Sequence, residues 1–110
     1  MQSNRLEKLL DFLENEPNDP FLLYAIATEY LGIKDSNSAL KYFEILLLEH
    51  QSYVGTYYHL GKLYEALDRK EEAIKTYQAG MLIAHTLRDN HALSELQSVY
   101  NSAIGLNEDD

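Results

Sequence analysis

Residues 54–87 read VGTYYHLGKLYEALDRKEEAIKTYQAGMLIAHTL, and the same layout stands 34 residues earlier. Leu23, Ile26, Ala27 and Tyr30 fall on Tyr57, Leu60, Gly61 and Tyr64, and Ala39 and Phe43 fall on Ala73 and Tyr77. Tyr24 meets Tyr58, Lys41 meets Lys75 and Leu48 meets Leu82, while Pro17 lies one period before Gln51 and two before His85. A repeat of this length marks a stack of similar units, each too small to bury its apolar face alone. Ala27, Gly61, Ala39 and Ala73 are small where one helix has to approach its partner closely. A glycine inside a helix costs about 1 kcal/mol relative to alanine, so Gly61 makes sense where close packing offsets that cost. Tyr30, Tyr64, Phe43 and Tyr77 are expected to fill the gaps around these small residues, each contributing about 2–3 kcal/mol when fully buried.

Start and stop signals divide the rest of the chain. Leu6, Leu9, Leu10 and Leu13 recur at helical spacing, which predicts an amphipathic helix over 4–15, capped by Asn4 with Glu7 and ended by Pro17. Asp19-Pro20 opens the next helix, which runs to about Leu31 with Gly32 as its stop. Asp35 or Ser36 opens a third helix to about Glu49, and a fourth spans roughly 53–67. Asp68 with Glu71 resembles a capping box for a helix from about 69 to 87. Asp89 or Asn90 opens the last, through about Gly105, with Ala92, Leu93, Leu96, Val99, Tyr100 and Ala103 as its stripe. Asn107–Asp110 should be frayed. Period-2 alternation is absent, so no strand is expected. The result is one all-α domain of about six helices whose short turns make neighbours antiparallel.

The spacing Tyr57-x2-Leu60-Gly61-x2-Tyr64 followed by Ala73-x3-Tyr77 resembles the tetratricopeptide repeat, whose pattern is W-x2-L-G-x2-Y, A-x3-F and a closing proline. Tyr57 and Leu23 stand in the tryptophan slot, Ala27 stands in the first glycine slot, and Gln51 and His85 depart from the proline. The resemblance implies a short right-handed solenoid. Residues 4–16 would be a leading helix from a preceding half-repeat, 20–53 repeat one, 54–87 repeat two, 89–105 a capping helix and 106–110 an acidic tail. It also implies a protein-binding groove lined by the first helix of each repeat. Phe21, Tyr24, Ala25 and Thr28 would line it from repeat one, Tyr58, His59, Lys62 and Glu65 from repeat two, with Tyr53 at the turn and Asp89 and Leu93 from the last helix. Tyrosine suits such a surface, being large, rigid and polar at its tip. The competing reading is that Tyr24 and Tyr58 only complete the packing between repeats. A subclass of the family clamps C-terminal carboxylates with lysine, asparagine and arginine; the matching positions here hold Tyr24, Thr28, His59, Asp89 and Leu93, which argues against that ligand.

Composition narrows the classes further. A net charge of −9 disfavours nucleic acid and anionic membranes as partners. There is no cysteine, hence no disulfide and no thiolate metal site. The N-terminus lacks the layout of a signal peptide, and no apolar run approaches the roughly 20 residues that span a bilayer. A cytoplasmic protein is expected. Of His50, His59, His85 and His91, two have a carboxylate at i+4 (Asp89 and Glu95), a spacing that could share a metal but that arises easily by chance. No HExxH, glycine-rich phosphate loop or GxSxG occurs, so neither catalysis, a metal nor a cofactor is expected. The leading reading is a protein–protein interaction module holding a peptide or partner helix. The alternative is a structural or self-assembling adaptor that forms homo-oligomers through its end helices.

Overall fold

The computed structural model describes residues 3–105 and holds α1 (Asn4–Asn15), α2 (Pro20–Gly32), α3 (Ser36–Glu49), α4 (Gly55–Ala66), α5 (Lys70–Thr86) and α6 (Asn90–Ala103). No strand occurs among the described residues, and the expected acidic tail, 106–110, lies outside them. The helices fall into two compact units, one ending at Tyr53 and the other beginning at Val54. In the first, α2 packs on α1 and on α3; in the second, α5 packs on α4 and on α6, and α4 also touches α6.

Three helix starts are as the sequence signals predict. Asp19 accepts from the Phe21 N–H at 2.9 Å, Asp35 from the Ser38 N–H at 3.1 Å and Asp89 from the Ala92 N–H at 3.0 Å. Two differ. Ser3, not Asn4, caps α1: its hydroxyl oxygen accepts from the Leu6 N–H at 2.9 Å and its own proton goes to Glu29 at 3.1 Å. Arg5 pairs with the same carboxylate at 3.2 Å, which fastens α1 to α2. The pair Asp68–Glu71 does not form a capping box, because Asp68 adopts a left-handed backbone, φ 62°.

That backbone recurs. Lys34, Asp68 and Arg88 all have positive φ, whereas Gly32, the expected stop, remains helical. In each case the next residue's N–H turns back to a carbonyl of the closing helix: Asp35 to Tyr30 at 2.9 Å, Arg69 to Tyr64 at 2.8 Å, and Asp89 to Ala84 at 2.9 Å. The same residue is then the N-cap of the following helix. At the α4–α5 turn this cap is Arg69, whose side chain cannot accept a hydrogen bond. It forks onto Glu72 at 2.5 and 2.7 Å, holding that carboxyl below the usual range, and lies 4.7 Å from the centre of the Tyr64 ring. The fourth helix starts later than expected, at Gly55, which leaves Tyr53 in the turn.

The core follows the repeat. Ala27, Ala39 and Ala73 are fully buried, as are Phe43 and Tyr77. A Cβ built on Gly61 would meet the Tyr77 ring, with Cδ1 at 2.6 Å, so this glycine is what lets the ring lie across α4. Gly80, which the repeat pattern leaves unassigned, has the same task from the other side: Tyr57 Cγ would be at 2.8 Å and Leu96 Cδ1 at 3.1 Å. Tyr57 against Gly80 and Tyr77 against Gly61 run in opposite senses along the two helices, which makes α4 and α5 antiparallel. The Tyr77 hydroxyl donates to Glu65 at 2.5 Å and anchors the ring's far end on α4. Burial pushes up the phenols of Tyr24, Tyr30, Tyr53, Tyr57 and Tyr77, the last also through Glu65.

Gly61→Ala is expected to lower the unfolding free energy by about 1–3 kcal/mol by overpacking, although alanine is the better helix former by about 1 kcal/mol. Gly32→Ala, where an added Cβ meets nothing within 4 Å, should act in the opposite direction. Urea titrations read by circular dichroism check both, and a stabilising Gly61→Ala would show that close approach is not what the glycine provides. A phenol whose folded pKa is raised contributes stability that is complete below its unfolded value of about 10 and drains away above it. Thermal midpoints should therefore hold up to about pH 10 and fall beyond it, less steeply in Tyr77→Phe.

Candidate functional site

In the first unit the structure brings two of the expected surface residues together. The rings of Tyr24, on α2, and Tyr53, in the turn after α3, lie 5.2 Å apart at a tilt of 47°. Tyr24 also meets the buried Phe43 edge-on at 6.4 Å. Tyr24 thus has one side committed to packing and another to the half-buried Tyr53. Phe21 stands one turn earlier on α2 and is 62% exposed, a large apolar ring left in solvent at the start of a helix. Thr28 is half-buried, and its hydroxyl donates to the Ala25 carbonyl at 3.0 Å within the helix. Ala25 itself is buried.

In the second unit Tyr58, His59 and Lys62 follow one another on α4. The Tyr58 and His59 rings are perpendicular at 5.5 Å, and Lys62 is exposed. Burial pushes the His59 imidazole down from its ordinary pKa, and the Glu95 carboxylate on α6 opposes this. Glu65 is half-buried, with its carboxylate accepting from Tyr77, so it is also a packing strut. Asp89 is engaged as the cap of α6, and Leu93 is half-buried on a face of α6 shared with Asn90, Ser94, Gln97, Ser98 and Asn101.

Sequence reading overlooks Glu95 as a neighbour of His59, because the approach of α6 to α4 has no local signal. It also overlooks Glu65 as a support for Tyr77, although the twelve-residue separation spans a turn between two helices that the repeat already pairs. His91 and Glu95, singled out for their spacing, form an exposed contact at 3.3 Å. No group of three histidine or carboxylate side chains among the described residues converges as metal ligands. No helix among them is long and apolar enough to cross a membrane.

The comparisons with known proteins agree with this architecture. The family model described as Tetratricopeptide repeat matches residues 54–84. A solution structure of a tetratricopeptide repeat domain protein from Salinibacter ruber is 47% identical over 86% of this chain and 95% of its own, with a TM-score of 0.78. A crystal structure of a tetratricopeptide repeat domain protein from the same organism is 48% identical over 81% of this chain and 99% of its own, with a TM-score of 0.77. A protein from Bordetella parapertussis shares the fold at 20% identity, with a TM-score of 0.80 over 97% of this chain and 92% of its own. No curated protein matches the chain. Close identity along nearly the full length of the Salinibacter domains, together with the repeat geometry around Gly61 and Tyr77, makes this chain a member of the tetratricopeptide-repeat family.

Proposed function

We propose that the chain acts by holding a segment of another protein, a peptide or a helix, against the first helices of its repeats. Tetratricopeptide repeats generally mediate protein–protein interaction, and proteins built from them are generally non-enzymatic scaffolds. The contributing residues in this reading are Phe21, Tyr24, Thr28 and Tyr53 from the first unit and Tyr58, His59, Lys62 and Glu65 from the second. The observation that carries it is the exposure of aromatic surface beyond what the repeat packing uses. Phe21 is 62% exposed, and Tyr24, Tyr53 and Tyr58 are only half-buried, whereas Phe43 and Tyr77 are fully enclosed. Aromatic side chains of this kind supply much of the binding energy at protein interfaces. The negative surface directs the choice of partner toward protein and away from phosphate backbones.

Affinity capture from a cell lysate, read by mass spectrometry, tests the reading with the natural chain and a Tyr24→Ala, Tyr58→Ala, His59→Ala variant of unchanged helicity and solution mass. A partner retained by the natural chain and lost by the variant is the expected outcome. Equal retention would move the functional surface to the end helices and favour the self-assembling adaptor.

His59 adds a pH dependence. Its folded pKa lies below the unfolded value of about 6.5, so its stabilising contribution is complete above that pH and is lost as the pH falls through the folded value. Ring-proton NMR should place its midpoint below about 6.5, with a captured partner held from neutral to mildly alkaline pH. A midpoint above that value would mean that Glu95 outweighs burial.

A further inference from the structure

The first unit carries a second feature that the repeat does not explain. The turn after α3 folds beside the turn between α1 and α2, where His50 Nε2 lies 3.3 Å from Asn18 Oδ1. Between the turn and the start of α2 is an open cleft of about 440 Å³ lined by Pro20, Glu49, His50, Gln51, Ser52 and Tyr53. Its walls include the proline ring and the phenol of Tyr53, which is itself backed by Tyr24. The exposed Phe21 ring follows Pro20 directly. Asp19 Oδ1 accepts from the Phe21 N–H, and its charge is near enough to the Tyr53 hydroxyl to help raise that group's pKa.

The charges decide the occupant. No lysine or arginine occurs between Lys8 and Lys34 or between Lys41 and Lys62, while Glu14, Glu16, Asp19, Glu44 and Glu49 fall within these stretches. Among the described residues Arg5 pairs with Glu29, Arg69 with Glu72 and His91 with Glu95, and Glu16, Asp19 and Glu49 belong to none of these pairs. Aromatic faces beside unneutralised carboxylates attract a flat cation. A guanidinium stacks on a ring and forks onto a carboxylate at the same time, whereas an ammonium does neither as well. Among the described residues no three groups converge as metal ligands, so the arrangement does not suit a divalent ion.

From this geometry we infer that the cleft beside Pro20 and Tyr53 receives an arginine side chain from a basic segment of the partner protein. The inference rests on the reading that the chain acts by binding protein. It adds the partner's chemistry: arginine-bearing, and read at the turn end of the first unit.

Amide NMR on the isotope-labelled full chain tests it, with hexa-arginine and hexa-lysine peptides as probes at physiological ionic strength. The comparison variant is Asp19→Asn, Glu49→Gln, in which asparagine keeps the cap while both charges are removed. Saturable shifts centred on Phe21 and on Gln51 to Tyr53 are expected. Hexa-arginine should bind severalfold more tightly than hexa-lysine, and the variant should bind hexa-arginine about tenfold more weakly. Shifts spread over the acidic surface of both units, equal binding of the two peptides, or an unweakened variant would each overturn the inference. Tyr58→Ala and His59→Ala are read for partner capture alone, and hexa-arginine binding is read on the natural chain and the charge variant. Loss of a captured partner in those variants without any response to hexa-arginine refutes the basic partner alone. A localised arginine response with the partner retained by those variants refutes the groove alone.

Discussion

The second unit depends on the absence of one atom. Gly61 has no Cβ, so the Tyr77 ring lies where that atom would be, and the ring's hydroxyl reaches back to Glu65 on the same helix as the glycine. Removing the side chain from one helix and placing a large aromatic on the other brings two backbones closer than two average side chains allow. Gly80 repeats the device for Tyr57 and Leu96, so α5 is approached closely from α4 and from α6. Glycine weakens the helices that contain it. The helices are therefore stable chiefly as a packed set, in keeping with units that bury their apolar faces only against neighbours.

A second constraint acts at the turns. Lys34, Asp68 and Arg88 take the left-handed backbone that glycine adopts at least cost, and the residue after each closes one helix and caps the next. The connection is so short that one residue serves both helices. Where that residue is aspartate, as at Asp35 and Asp89, its side chain also satisfies an N–H of the new helix. Where it is Arg69, the start of α5 has no side-chain cap. The arginine's charge goes instead to Glu72, and its flat face to Tyr64.

This double use explains what could be read in advance and what could not. The period, the small residues and the caps Asp19, Asp35 and Asp89 were legible, because each depends on residue type at a fixed local spacing. The misreading of Asp68 has a definite cause: a carboxylate three residues before Glu71 looks like a cap, but the return bond from Arg69 to Tyr64 puts Asp68 one position too early. Gly32 looked like a stop because glycine favours positive φ, yet the turn places that backbone two residues later, at Lys34. At the candidate site, the residue types on α2 and α4 were visible from the repeat. Their neighbours were not: Tyr53 against Tyr24, Glu95 near His59 and Glu65 bonded to Tyr77 all join different elements.

These pairings sort the side chains of the candidate surface by how much freedom each retains. The Thr28 hydroxyl gives its proton to Ala25, and the Glu65 carboxylate holds Tyr77, so both are partly engaged inside the fold. Tyr24 is wedged between Phe43 and Tyr53 and contributes rigidity as much as contact area. Phe21 and Lys62 are exposed and can change without disturbing the small-against-aromatic packing. A repeat protein that keeps its periodic residues for the core and varies the intervening ones can alter what it binds at little cost in stability, because the two sets occupy different helical faces. In this chain the intervening set is aromatic and locally acidic in the first unit, and in the second it places tyrosine, histidine and lysine side by side on α4. The two units thus present different chemistry from one packing plan, and that difference, not the fold, is what can discriminate between partners.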